Sequence, residues 1–371
     1  MPLIVAARRS AVMPKGGQFA HLEPHDLVTP VLKACLADVD LAPSDVDELI
    51  LSNALGGGGN PARLAALAAG LPDRVAGLSI DRQCAGGLDA ILLGHALVAA
   101  GVHDVVVAGG VESYSRRPLR ARTFADGRTP EPYDQARFTP WASKDPDMAE
   151  AADQLGHRLA IGRAEQDQWA QQSHAKARRH GADRQAEIVP VGGVTDDAFL
   201  RDLTPRICAR APVVTGSITA ANMAVAADAA ACVVIVSDRR ARNLNRAGLR
   251  LLQGATRGSD PLQPGLAPLV AIKEVLAREG IDPYALHRSE IMEAFAVQAL
   301  ACIKGAQLRP DSVNPAGGAL AQGHPVGASG AILAVKLFHG LQPDDGPALA
   351  AIAAAGGLGS AALFKAVRAA N

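Results

Sequence analysis

The chain alternates short apolar runs with longer stretches of helical periodicity. Residues 47–55 (DELILSNAL), 104–113 (DVVVAGGVES) and 231–237 (ACVVIVS) are brief and nearly continuous in apolar character. That pattern predicts strands buried on both faces. The opening MPLIVAARRSAV reads as one more short strand, and 289–303 and 348–360 (ALAAIAAAGGLGS) bring similar runs to the second half. Helix signals lie between them. In 56–72 (GGGGNPARLAALAAGLP), Asn60 is placed to cap a helix, Pro61 suits its first turn and Gly70 its end. Strands alternating with helices predict an α/β architecture.

The second half echoes the first. Cys84 to Ser113 runs from a glycine pair through an apolar helix and a loop to a buried strand with Gly109-Gly110. His324 to Ser360 follows the same plan and reaches Gly356-Gly357. Two copies of one unit would give a pseudo-twofold molecule; common α/β punctuation would give the same spacing by chance. Residues 116–202 break the pattern. They are rich in Arg, Asp, Gln and Pro, and 165–182 (EQDQWAQQSHAKARRHGA) reads as an amphipathic surface helix. This region is read as an inserted lobe, a common seat of specificity.

Composition narrows the class. At 371 residues the chain suits two or three packed units. It is 49% hydrophobic but only 3% aromatic, so alanine and glycine carry the apolar count and close backbone packing is expected. A formal net charge of zero argues against a nucleic-acid binder. No run approaches the roughly 20 apolar residues of a membrane span, and the N-terminus lacks signal-peptide features. The cysteines, at 35, 84, 208, 232 and 302, are odd in number and without CxxC spacing. Neither a disulfide framework nor a metal site is expected. A soluble, cytoplasmic, reduced protein follows from these features.

Two residues stand out chemically. Cys84 sits just before an apolar helical run, where unpaired N–H groups would favour its thiolate; free cysteine is equally a common core residue. His324, between Gly323 and Pro325, lies in a tight loop before another helix. It could serve as a base or oxyanion donor, or simply bond a carbonyl. A cysteine and a histidine at matching helix starts make a stronger signal than either alone. No P-loop, Gly-x-Ser-x-Gly elbow or HExxH pair occurs. Arg116, Arg117, Arg120 and Arg122 form a cluster that could meet the phosphates of a nucleotide-bearing substrate or face solvent.

Taken together these segments resemble the thiolase family over nearly the whole chain. The carriers are CAGGLDAI at Cys84, VNPAGGALAQGHPVGASGA at His324, the NPAR helix, AGGVESYS, EIMEAFAVQ and AAAGGLGSA. The resemblance implies two βαβαβαββ halves in five layers, α-β-α-β-α, plus a loop domain. Residues 1–115 with 203–240 would form the N-terminal half, 116–202 the loop domain and 241–371 the C-terminal half. It further implies Cys84 as the acylated nucleophile, activated by His324, with Arg116, Arg117, Met148 and Phe295 as substrate-binding candidates. An acyl-CoA or carrier-protein thioester would be the substrate, with no separate cofactor. The short chain leaves little room for an assembly loop, so a homodimer is expected.

The departures from the family are specific. Met292 replaces the asparagine of the Asn-Glu-Ala-Phe loop, ahead of Glu293, and cannot hold a water through an amide. Ala353, ahead of Gly356-Gly357, occupies the place of the second, acid/base cysteine, and Asp147 that of a loop-domain histidine before Met148. Cys302 lies in an apolar run and reads as core. Acyl transfer to Cys84 is expected to survive, while Claisen chemistry is weakened. Three readings follow: a thiolase-type acyltransferase, a Cys-His enzyme passing acyl groups to oxygen, nitrogen or water, and a non-catalytic acyl-CoA-binding subunit supporting a partner enzyme.

Overall fold

The computed structural model describes residues 1–369. The first half is built on β1 (Leu3–Ser10), β2 (Glu48–Ser52), β3 (Leu78–Ile80), β4 (Val105–Glu112) and β5 (Ala227–Val236). They lie in the order β1-β5-β4-β2-β3. β1 is antiparallel to β5 and β5 to β4, while β4, β2 and β3 are parallel. Helices α1 (Pro24–Ala37) and α2 (Pro61–Ala69) cover the outer face, and α3 (Gly86–Ala99) the inner one. The chain then leaves the sheet for the polar stretch, which holds α4 (Met148–Leu159) and α5 (Arg163–Arg179).

The second half repeats the plan with one edge strand fewer. β6 (Gly248–Gly258), β7 (Arg288–Ile291), β8 (Ala348–Ala354) and β9 (Leu358–Val367) lie in the order β6-β9-β8-β7. Their senses, antiparallel, antiparallel, parallel, repeat those of the first half. α6 (Ala267–Glu279) and α7 (Ala296–Gly305) cover the outer face, and α8 (Val326–Gly340) lies inside with α3. The half-sheets meet at one bridge, Ile4 to Leu249. Five layers result, so the echo in the sequence is structural.

Period-two alternation sorts each strand between two cores. In β4, Val106 and Ala108 face the central core while Val105, Val107 and Val111 face the outer one. In β8, Ala348, Ala350 and Ile352 face the centre, and Leu349 and Ala351 the far side. The α2 signals also act as expected: Asn60 Oδ1 accepts from the Arg63 N–H at 3.2 Å, and Gly70 ends the helix at φ 78°.

Small residues set the central layer. α3 crosses α8 so closely that a Cβ on Gly87 would lie 2.7 Å from the Ala331 nitrogen. A Cβ on Gly110 would overlap the Gly327 carbonyl oxygen. The glycine pairs of the two halves are therefore not equivalent. Gly109-Gly110 lie inside β4, whereas Gly356-Gly357 form a left-handed turn after β8, each at φ 77°.

Two segments differ from the sequence reading in texture. α5 is half-buried, and its inner face is largely polar, carrying Gln166, Asp167, Ser173 and His174 beside Trp169. Polarity on that face is why it reads as a surface helix. Residues 205–219 form a short helix and a hairpin that pack on α5 and α4 before the chain re-enters the sheet at Ala227. No described helix is long and apolar enough to cross a membrane.

The crossing predicts that Gly110→Ala destabilises the protein by about 1–3 kcal/mol. Gly258→Ala, which meets open space, should change stability by less than about 0.5 kcal/mol. Urea unfolding of the two variants checks the contrast.

Candidate active site

Cys84 stands where β3 turns into α3. Residues Gln83–Ala85 form one tight helical turn, and Gln83 holds φ at 44°, a left-handed conformation uncommon outside glycine. Its N–H donates to Asp81 Oδ1 at 2.8 Å, which fixes the elbow. His324 arrives from the other half. Its N–H donates to the Val225 carbonyl at 2.7 Å, pinning the loop to the segment that enters β5. Cys84 Sγ lies 3.0 Å from His324 Nε2, and His324 Nδ1 lies 2.7 Å from Ser329 Oγ in the first turn of α8. With Nδ1–H donating to Ser329, Nε2 is free to accept the thiol proton.

A buried carboxylate holds the two halves in register. Glu112, at the end of β4, accepts from the N–H groups of Ala54 at 3.1 Å and Leu55 at 3.2 Å. The Gly327 N–H at the start of α8 also donates to it, at 3.0 Å, as does Asn53 Nδ2 at 2.9 Å. Burial pushes the Glu112 carboxyl up to about 7, although these N–H donors pull it back.

Burial also governs the reacting pair. It raises the Cys84 thiol to about 12; the cysteine's own N–H opposes this, and Glu112 and Asp81 add to the rise. His324 is lowered to about 4 by burial. Desolvation opposes the helix-terminal field that would favour a thiolate, and burial favours the neutral thiol and the neutral imidazole.

A cavity of about 590 Å³ opens over the pair. Arg117, Met148, Phe295 and Ala353 line it with Cys84 and His324. Asp147 is on the wall too, capping α4 by accepting from the Ala149 N–H at 2.8 Å. Arg116 is not: it pairs with Glu23 at 2.9 Å, on the surface. Met292 also lies off the wall, in the central core, with its N–H donating to the Ala351 carbonyl. Glu293 is wholly buried and accepts from Trp169 Nε1, Ser173 Oγ, Asn314 Nδ2 and the Leu320 N–H. That carboxylate ties α5 to the loop leading to His324, a structural task. Gly356 and Gly357 shape the turn behind Ala353–Ala355 without lining the cavity. Cys302 is buried in α7, as expected.

Comparison with known proteins agrees with this geometry. The model of the thiolase N-terminal domain matches residues 3–239, and that of the thiolase C-terminal domain matches 246–366. The chain belongs to the thiolase family. It is 38% identical to the "Putative acetyl-CoA C-acetyltransferase YhfS" of Bacillus subtilis, over 98% of each chain. Identity to the similarly named VraB of Staphylococcus aureus is 37%, again over 98% of each. Among solved structures, the acetyl-CoA acetyltransferase of Bacillus anthracis superposes with a TM-score of 0.93 at 32% identity, covering 99% of this chain and 98% of that one. The Acat5 thiolase of Ascaris suum, solved with coenzyme A, gives 0.91 at 30%, covering 98% and 99%. The protein is thus an acyltransferase of thiolase type.

Sequence reasoning missed Ser329 and Glu112, and also Tyr114 and Val214 on the cavity wall. A hydroxyl in the first turn after the histidine loop was a usable signal for Ser329. Glu112 and Val214 carried none, because their roles depend on contacts between distant segments. The neutral pair predicts slow alkylation of Cys84 in the free enzyme, since the other four cysteines are buried. Iodoacetamide labelling should climb about tenfold per pH unit from about pH 7 to 10 without a plateau. A plateau below about pH 8, read by mass spectrometry, would mean a stabilised thiolate instead.

Proposed function

We propose that Cys84 takes the acyl group of an acyl-CoA, or of a carrier-protein thioester with the same pantetheine arm, and passes it to an acceptor. The 3.0 Å contact between Cys84 Sγ and His324 Nε2 carries this reading. His324 Nε2 takes the thiol proton as sulfur attacks the thioester carbonyl. Ala355 lies on the cavity wall, and its backbone N–H is the donor we assign to the oxyanion. Collapse of the adduct expels the pantetheine thiolate, which takes the proton from Nε2 and leaves an acyl-Cys84 thioester. The acceptor then repeats these steps in reverse. The thioester is a substrate, and no cofactor is required.

Carbon–carbon bond formation needs one step more, removal of an α-proton. Ala353 offers only a methyl group on the wall where the resemblance places a second thiol. Loss of such a general acid/base costs about 100- to 10,000-fold. Met292 supplies no amide, and loss of an oxyanion donor costs about 100- to 1,000-fold. Ordinary Claisen and thiolysis turnover should therefore be weak. The methyl group at 353 favours a second reading, transfer to oxygen, nitrogen or water, which needs no α-proton removal.

Intact-protein mass after incubation with an acyl-CoA panel tests the proposal. One acyl adduct is expected, absent in Cys84→Ala and formed about 100- to 10,000-fold more slowly in His324→Ala. If neither CoA nor carrier-protein thioesters leave an adduct, the acyl-CoA-binding subunit reading replaces it.

The assembly we propose is a homodimer. Leu64 and Leu67 of α2 and Leu78 of the edge strand β3 are exposed at 53%, 47% and 40%. An apolar sheet edge favours pairing with another copy. Light scattering should give twice the chain mass, and Leu67→Asp with Leu78→Asp should give a monomer.

A further inference from the structure

The cavity lining mixes two chemistries. Met148, Leu155, Val214, Met223 and Phe295 are apolar. Arg117, Arg120 and Arg137 also line it, all from the segment that follows β4. Buried or half-buried arginine in a site of this size is costly unless an anion meets it. Arg120 has no carboxylate partner among the described residues. Its Nη2 reaches only the carbonyls of Ala54 and Gly56, at 3.3 and 3.5 Å. Arg117 lies 4.7 Å from the Tyr114 ring and pairs with Asp134 at 3.1 Å, a carboxylate that is 92% exposed. Arg137 makes no ion pair or hydrogen bond among the described residues. The other carboxylates of the wall are engaged elsewhere: Asp81 with the Gln83 N–H, Asp147 with the α4 N-terminus.

Arg120 is linked to the loop of His324 through a relay of contacts. The Ala54 carbonyl it touches belongs to the residue whose N–H binds Glu112. Glu112 in turn holds the Gly327 N–H, three residues beyond His324. Asn53, next to Ala54, has its Cα 3.2 Å from where a Cβ of Gly327 would be.

From this placement we infer that the acyl group delivered to Cys84 carries a carboxylate at its far end, bound by Arg120 with Arg117 and Arg137 around it. The inference rests on the acyl-transfer reading above. Guanidinium binds carboxylate and phosphate alike, so the phosphates of CoA are the competing source of the charge. They sit at the far end of the pantetheine arm, many bonds from the thioester sulfur. Arg120 bonds the loop that holds Glu112, on the same cavity into which Cys84 and His324 open. The substrate class is a dicarboxylic acid monothioester.

Acylation rates of Cys84, read by intact mass, decide the matter. Succinyl-, glutaryl- and adipyl-CoA are set against butyryl-, pentanoyl- and hexanoyl-CoA of equal carbon number. The unmodified protein should favour at least one anionic donor over its neutral counterpart by about 10- to 100-fold. Arg120→Met should abolish that preference and leave the neutral rates within about twofold. Should that variant fail to fold, Arg137→Met, at an exposed position, should reduce the same preference. Equal slowing of both series in the variant would assign the arginines to the CoA phosphates and overturn the inference. Acylation by both series without preference would overturn it alone, while acylation by neither would overturn the acyl-transfer reading with it.

Discussion

The site depends on one constraint, the backbone contact between α3 and α8. Cys84 comes from one half of the molecule and His324 from the other, 240 residues apart. Helices packed through large side chains lie about 8–10 Å apart. Here glycines and alanines take the crossing, and Gly110 lets β4 approach the start of α8. The high alanine and glycine content is thus a geometric requirement as well as a compositional trait. Glu112 completes the junction by binding N–H groups from the β2 loop and from α8.

That same burial sets the chemistry. A thiol raised to about 12 and an imidazole lowered to about 4 describe a pair in which neither partner is charged at rest. In the proposed reaction nucleophilicity would be generated during attack, with Ser329 Oγ 2.7 Å from His324 Nδ1 to orient the ring. The arrangement resembles the logic of a hydroxyl nucleophile with its histidine base more than that of a stable thiolate-imidazolium pair. A resting thiol is also less exposed to adventitious alkylation and oxidation.

Changes at the other loops act on a different step. Ala353 keeps its place on the wall but loses its proton-transfer group, and Met292 has joined the core. Both losses spare the Cys84–His324 pair. Under the proposed acyl transfer, acyl capture and carbon–carbon chemistry would be separable in this scaffold, and the arginines of the cavity would offer a basis for choosing the acyl group.

Much of this was legible from local pattern. Apolar runs fixed the strands, Asn60, Pro61 and Gly70 fixed α2, and the flanking glycines singled out Cys84 and His324, because each signal lies within a few residues of its effect. Side-chain roles that join distant segments were not legible. The polar inner face of α5 is buried because Glu293 needs its donors, and Arg117 and Arg116, adjacent in sequence, part company at the cavity rim. The state of Cys84 was the sharpest reversal. The helix start is visible in the sequence and argues for thiolate, but the desolvation that opposes it comes from tertiary packing. Sequence by itself determined the elements, suggested the repeat and singled out Cys84 and His324. Only the tertiary structure decided their protonation, their distance and what shares their cavity, because electrostatic free energy depends on the whole surrounding volume and not on neighbours along the chain.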